Sequence, residues 1–344
     1  MHLKLDHDSR RCNGTLRITG SKSETNRLLL LQALFRGFEI ENVSNSDDSK
    51  VMQEALITSS GRINIHHAGT AMRFLTAYFS QLEGREVVLT GSTRMQERPI
   101  KILVEALRSL GASIQYEKEE GYPPLRIQGK KLKGGAVHLP ADVSSQYISA
   151  LLLLGPVLEQ GVELHLEGKI TSVPYIKMTL ALLNNFGVST AFQGQHIRVE
   201  HQSQPKKTLQ VVESDWSSAS YFFSIAALSE EATIHLESYK QESLQGDSVL
   251  RSIYKELGVN SRFEGHRLIL TKEKIKLPER IQWDLSEAPD IAQTIAVSCY
   301  GLGIGCDLKG LHTLKIKETD RLVALDTELT KLGATLSVSD HSLH

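Results

Sequence analysis

An internal repeat of just over seventy residues constrains this chain more than any other feature. Leu110-Gly111-Ala112, Phe186-Gly187-Val188, Leu257-Gly258-Val259 and Leu332-Gly333-Ala334 resemble one another, and their glycines lie 76, 71 and 75 positions apart. Each closes an amphipathic run, as a glycine just past a helix end does, because glycine takes the left-handed backbone conformation without a steric penalty. Ile100, Leu103, Leu107 and Leu110 share one helical face, as do Leu322, Leu325, Leu329 and Leu332. Alternating residues that read as strands follow each glycine, for example 188–192 and 196–200. A second set of helices begins at small or polar clusters around Gly69, Ser145, Ser218 and Asp290, spaced 76, 73 and 72 apart. Strand-like runs such as 87–91 and 162–166 lie between the two sets. The unit reads helix, strand, helix, strand, strand, and two independent features share its period.

The stretch Gly20 to Arg27 (GSKSETNR) is a tight polar turn between a short strand and an apolar helix, and it starts an earlier, shortened unit. Ser23 precedes Gly69 by only 46 positions, and residues 57–65 leave little room for a strand pair. Five units begin. The fifth ends at 334–344, where one strand and a turn are legible and the next strand is barely started. The polar stretch 201–208 reads as a crossover between domains. Residues 20–204 then form a first domain of three units. Residues 1–19 and 205–344 form a second, whose last repeat is absent.

The totals narrow the function. A chain of 344 residues with 40% hydrophobic and 23% charged residues is long enough for two cored domains and has the balance of a soluble protein. A formal net charge of -1 gives no global field for nucleic acid or a membrane surface, so any anion site needs a local gathering of cations. No apolar run is long enough to span a bilayer. Three cysteines without a CxxC pair argue against a disulfide framework, and the expected compartment is the cytoplasm. His66 and His67 are adjacent and no HExxH occurs, so no metal site is expected; no Walker loop or GxGxxG points to a nucleotide.

Cations do gather at the repeated turns: Lys22, Arg27, Arg73, Arg94, Arg98, Lys317 and Arg321. Arg98 stands before Pro99, read as the first helical position, and Lys317, Glu318 and Arg321 read as the first turn of another helix. A basic residue opposes the dipole at a helix start, and a sequence that repeats this choice has an anion to hold there. Arginine suits phosphate and carboxylate oxygens. Any one of these residues by itself is an ordinary surface cation; their recurrence at equivalent repeat positions is what points to a site. Asp290 and Glu318 are acids among the cations. Asp290 is a good helix cap, and a carboxylate in such surroundings can also move a proton.

These residues carry a resemblance. The stretches 20–27, 68–73 (AGTAMR), 94–100 (RMQERPI), 144–146 (SSQ), 215–220 (DWSSAS), 245–247 (QGD), 289–290 (PD) and 317–321 (KETDR), in that order over essentially the whole chain, resemble the 5-enolpyruvylshikimate-3-phosphate (EPSP) synthase family. The resemblance implies a two-domain inside-out α/β barrel, the enolpyruvyl transferase fold, built of βαβαββ units with substrates in the cleft between the domains. It implies transfer of the enolpyruvyl group of phosphoenolpyruvate to the 5-hydroxyl of shikimate-3-phosphate, releasing phosphate, with no cofactor or metal, in a cytoplasmic monomer. It further implies that Lys22, Gly69, Arg98, Gln146 and Arg321 hold phosphoenolpyruvate. Ser23, Arg27, Ser144, Ser145, Gln146, Ser172, Tyr175, Asp290 and Lys317 would hold shikimate-3-phosphate. Asp290 would be the base for the hydroxyl. Glu318, assisted by Lys22, would act in proton transfer at the methylene carbon.

The sequence departs from the family pattern in three places. His67 replaces a usual Asn and Phe74 a frequent Pro beside the expected phosphoenolpyruvate site. The first repeat is short. The chain also stops before the family's later Asp-His-Arg and Lys motifs, and Asp340-His341-Ser342 is not the former. Without a sixth unit, weak activity and marginal stability are expected. Two other readings stand beside this one. One is a truncated chain that binds shikimate-3-phosphate without turnover. The other is the sister transferase acting on UDP-N-acetylglucosamine, disfavoured because Ser23 follows Lys22 where that family has Asn and because 91–98 holds no cysteine.

Overall fold

The glycines that mark the repeat adopt the backbone their position demands. In the computed structural model Gly111, Gly187, Gly258 and Gly333 have φ of 100°, 86°, 79° and 94°. Gly111, Gly187 and Gly333 donate their N–H groups to the carbonyls of Arg108, Asn184 and Thr330. The residue after each reaches back to Leu107, Leu183 and Leu329. This paired bond satisfies two carbonyls that a helix end otherwise leaves open. The structure describes residues 9–35, 37–58, 60–140, 144–168, 170, 172–206, 208–317 and 319–344.

Two compact units form, Thr19–Val212 and Met1–Ile18 with Glu213–His344. The chain opens on β1 (Arg11–Arg17), part of the latter. It then builds the Thr19–Val212 unit from α1 (Lys22–Phe35), β2 (Glu39–Glu41), α2 (Asp47–Ile57), β3 (Gly61–Asn64), α3 (Gly69–Gln81), β4 (Glu86–Thr90), α4 (Thr93–Gln96), α5 (Lys101–Ser109), β5 (Ser113–Tyr116), β6 (Leu125–Gln128), β7 (Gly135–Pro140), α6 (Ser145–Leu154), β8 (Val162–Glu167), α7 (Val173–Asn185), β9 (Thr190–Gln193), β10 (His196–Val199) and β11 (Leu209–Val211).

Two four-stranded sheets of this unit share one plan, β3-β4-β6-β5 and β7-β8-β10-β9. The first strand runs parallel to the second, with a helix between them, and the remaining pairings are antiparallel. β11 and β2 pair in parallel as a two-stranded sheet, and α2 leads directly into β3. The helices sit inside. Twelve of the thirteen residues of α3, Gly69 to Ser80, are buried, so this helix faces protein on every side. Its buried hydroxyls bond within the helix, Thr76 to the Met72 carbonyl and Ser80 to the Thr76 carbonyl. The sheets bury one face each: in β8, Val162, Leu164 and Leu166 point inward and alternate with Glu163, His165 and Glu167.

The other unit continues with α8 (Trp216–Leu228), β12 (Glu231–Glu237), α9 (Leu250–Lys255), β13 (Val259–Glu264), β14 (Arg267–Lys272), β15 (Arg280–Asp284), α10 (Ala292–Leu302), β16 (Gly305–Lys309), α11 (Arg321–Lys331) and β17 (Ser342–Leu343). The sheet β1-β12-β14-β13 repeats the same plan, with β1 parallel to β12, and β15-β16-β17 contains three of its four positions. Trp216, Phe223, Tyr239, Tyr254, Ile295 and Leu308 lie in its core.

The structure corrects several expectations. The boundary lies after Val212 and before Thr19, not at 204/205 and 19/20, because the parallel pairing of β11 with β2 ties 209–211 to the first unit. Leu332 is 66% exposed, unlike Leu322, Leu325 and Leu329, because it caps the helix rather than lying on its packed face. The strand expected after Gly333 is reduced to an isolated bridge between Val338 and Leu343; the next strand, β17, is two residues long and pairs with Leu308 and Lys309 after a bend at Asp340 and His341.

Candidate active site

In the Thr19–Val212 unit the site residues stand at the starts of helices, and the helices are tied together near those starts. Arg27, one turn into α1, is 2% exposed. Its Nε donates to Thr179 Oγ1 in α7 at 2.7 Å and one Nη to Ser149 Oγ in α6 at 3.0 Å. The remaining bonds go to the Ser23 carbonyl at 2.8 Å and the Tyr175 carbonyl at 3.3 Å. The guanidinium also lies over the rings of Phe74 and Tyr175. Burial pulls its pKa down to about 10, so it stays charged at neutral pH. Gln146 Nε2, at the start of α6, donates to Thr70 Oγ1 at the start of α3, at 3.2 Å. The N-terminal turns of α1, α3, α6 and α7 therefore come together, and each brings the positive end of a helix dipole.

Lys22 opens α1 and lies 3.7 Å from Asp48, with 42% of its side chain exposed. Gly69 opens α3 beneath Arg98: a Cβ built on Gly69 would lie 2.5 Å from one Arg98 Nη and 2.9 Å from the other. Ser144 caps α6 through the Gln146 N–H, Ser145 is buried, and Ser144 itself is exposed. Ser172 precedes α7 in the left-handed region, φ 53° and ψ 41°, a conformation that costs a non-glycine residue about 1–3 kcal/mol. Tyr175 stacks under Arg27 in the first turn of the same helix.

Two of the gathered cations have other work. Arg73 is 3% exposed; it bonds the carbonyls of Gly69 and Pro99 and stacks on Tyr147, so it holds the loop that carries Arg98. Arg94 forms an exposed ion pair with Glu97 at 3.2 Å. Pro99 is not the first helical residue. Ile100 is the N-cap of α5, because the Ile100 N–H turns away to the Gly121 carbonyl.

In the other unit, Asp290 follows Pro289 in a short 3-10 turn, Pro289–Ile291, ahead of α10. The N-cap position of α10 falls on Ile291, not on Asp290. One carboxylate oxygen accepts from Lys317 Nζ at 3.2 Å and from Arg321 at 2.9 Å. All three side chains are only 20–27% exposed, which strengthens both pairings relative to surface ion pairs. Lys317 does not lie in the first turn of α11. It ends the 3-10 segment His312–Ile316, and α11 begins only at Arg321, where Asp320 captures the N–H groups of Leu322 and Val323. Glu318 lies outside the described residues.

Asp247 was legible as part of a motif but not as a charged group inside the fold. It is 5% exposed and accepts a hydrogen bond from Ser217 at the start of α8. Burial, then the neighbouring charge of Asp290, push its pKa up to about 7; Lys317 opposes the shift. A carboxyl so placed can hold or release a proton near neutral pH. The segment that carries it is pinned by two buried side chains. Glu213 accepts from the Lys240 N–H at 3.0 Å, Trp216 Nε1 at 2.8 Å and Ser243 Oγ at 2.7 Å. Gln245 accepts from the Trp216 N–H and donates to the Ser214 carbonyl, both at 2.9 Å. Nothing in the spacing of these residues announced those contacts.

Comparison with known proteins gives this geometry its family. A family model described as EPSP synthase (3-phosphoshikimate 1-carboxyvinyltransferase) matches residues 56–344. The chain is 47% identical over 332 residues to a 3-phosphoshikimate 1-carboxyvinyltransferase of Bacteroides fragilis, covering 96% of this chain and 80% of that protein. It is 36% identical over 360 residues to the protein of the same name from Actinobacillus pleuropneumoniae, covering 95% and 82%. A solved EPSP synthase from Acinetobacter baumannii superposes with a TM-score of 0.74 at 22% identity, covering 96% of this chain and 81% of that one, which shows the same fold. With its repeated α/β sheets, the basic and acidic residues at its helix starts, and this identity to named relatives along nearly its whole length, the chain belongs to the EPSP synthase family.

Proposed function

We propose that this chain transfers the enolpyruvyl group of phosphoenolpyruvate to the 5-hydroxyl of shikimate-3-phosphate, giving EPSP and inorganic phosphate in the shikimate pathway. Its family and the names of its relatives support the reaction. The single observation that supports the catalytic assignment is the Asp290 carboxylate, bound on one oxygen by both Lys317 and Arg321.

In this proposal Lys22, Gly69, Arg98, Gln146 and Arg321 receive phosphoenolpyruvate. Ser23, Arg27, Ser144, Ser145, Gln146, Ser172, Tyr175, Asp290 and Lys317 receive shikimate-3-phosphate. The methylene carbon takes a proton, with Glu318 and Lys22 acting there, while Asp290 takes the proton of the 5-hydroxyl. The hydroxyl oxygen bonds to the central carbon of the enolpyruvyl group. From that tetrahedral intermediate the carbon–phosphate oxygen bond breaks, phosphate leaves, and the methyl returns a proton, restoring the double bond. Fixed cations and helix dipoles stabilise the charge that moves between phosphate and carboxylate. The reaction needs no metal or organic cofactor, and the proposal places it in a cytoplasmic monomer. Among the described residues no helix is long and apolar enough to cross a membrane.

The test is phosphate release from phosphoenolpyruvate, with and without shikimate-3-phosphate. Release that requires shikimate-3-phosphate and falls at least about a hundredfold in Asp290→Ala supports the reading. A folded chain that releases none, or an Asp290→Ala variant of unchanged rate, overturns it or the role of Asp290 respectively.

A further inference from the structure

The outer face of the sheet β7-β8-β10-β9 carries a row of imidazoles that the reaction does not use. The register sets His138 of β7 opposite His165 of β8, and His165 opposite His196 of β10. The rings of His138 and His165 stack at 4.6 Å, and that of His196 meets His165 edge-on at 4.6 Å. Glu163, two residues before His165 and therefore on the same face, places Oε1 3.1 Å from His165 Nε2.

We propose that Glu163, His165 and His196 form a site for a divalent transition-metal ion, with Zn2+ as the reference ion. Their ligand atoms all lie within 4.8 Å of one another. Zinc bonds imidazole nitrogen and carboxylate oxygen at about 2.0–2.2 Å, so neighbouring ligands of a tetrahedral ion stand about 3.3 Å apart. The Glu163–His165 separation already matches that edge, and His196, an exposed ring at the sheet surface, closes the rest by rotation. Two imidazoles and one carboxylate are a zinc donor set that leaves a fourth position open. His138, stacked on His165, can fill it. Hard cations such as Mg2+ prefer oxygen ligands and do not suit this set.

The surroundings favour an ion. Arg198, the cross-strand neighbour of Glu163, turns to Glu200 at 2.8 Å, which leaves the Glu163 carboxylate to the histidines. Glu167 lies 3.9 Å from His138 Nδ1 and can orient that ring from behind. The ligands come from the two inner strands, β8 and β10, and the open position faces His138 of the edge strand β7, so the ion would tie the inner strands together. Leu164 and Leu166 face the core on the opposite side, so the site is separate from the helix starts that carry the candidate active site.

The test is calorimetric titration of Zn2+ into the untagged 344-residue chain in the presence of excess Mg2+. One ion is expected to bind per chain and to raise the melting temperature. Binding is expected to weaken at least tenfold in His165→Gln and in the double variant Glu163→Gln, His196→Asn. Shikimate-3-phosphate-dependent phosphate release should be unchanged in both. The double variant changes only surface positions, so it carries the test if His165→Gln fails to fold. Equal Zn2+ binding by wild type and the double variant, or no binding by wild type, overturns the proposal.

Discussion

The guanidinium of Arg98 rests directly on Gly69, so close that a single added carbon on the glycine would lie 2.5 Å from an Arg98 nitrogen. Arg98 ends in a flexible group, so Gly69→Ala moves the arginine rather than breaking the helix. The expected result is a folded enzyme of near-normal melting temperature. Its KM for phosphoenolpyruvate rises roughly tenfold, the scale of one misplaced charged hydrogen bond. The KM for shikimate-3-phosphate changes little. Steady-state kinetics with each substrate varied in turn checks this, and equal changes in both KM values would refute it.

Arg27 shows a cation that the fold itself needs. It binds α1 to α6 and α7 through Ser149, Thr179 and the Tyr175 carbonyl. Lysine has the charge but not the planar fork, so Arg27→Lys leaves buried acceptors unpaired. A loss of about 2–4 kcal/mol in a denaturant titration is expected, accompanied by lower activity. A variant as stable as wild type would mean that these bonds contribute little.

Asp247 links pH to stability. Its pKa is raised in the fold, to about 7, chiefly by burial. The native state therefore keeps a proton that the unfolded chain has lost above about pH 4. The stability contributed is fully present below the unfolded value and is lost as pH rises through about 7. Asp247→Asn, which cannot ionise, should flatten the pH dependence of the melting temperature between pH 5 and 8. It should be the more stable protein at about pH 8, by roughly a few kcal/mol at most. An unchanged slope would place the proton elsewhere.

Ser172 separates strain from binding. Its left-handed backbone suits glycine, so Ser172→Gly should stabilise the protein by about 1 kcal/mol. If the hydroxyl contacts shikimate-3-phosphate as proposed, the KM for that substrate rises while the KM for phosphoenolpyruvate does not. Thermal melting and kinetics on the same variant read the two effects independently.

The repeat is legible in the sequence, because helix-capping glycines and apolar periodicity are local signals, and Gly111, Gly187, Gly258 and Gly333 all carry the positive φ their position predicts. The sequence also determined the family, because the motifs occur in order along one chain. Packing settled which of the cations also hold the fold together. Arg27 and Arg73 look like Lys22 and Arg98 in sequence, yet the first two are buried and bonded to acceptors far away along the chain. The same holds for the raised pKa of Asp247, which comes from its burial and from Asp290, 43 positions later. The row of His138, His165 and His196 has no motif at all; strand register makes it. Burial and register are long-range outcomes of packing, and no local pattern encodes them.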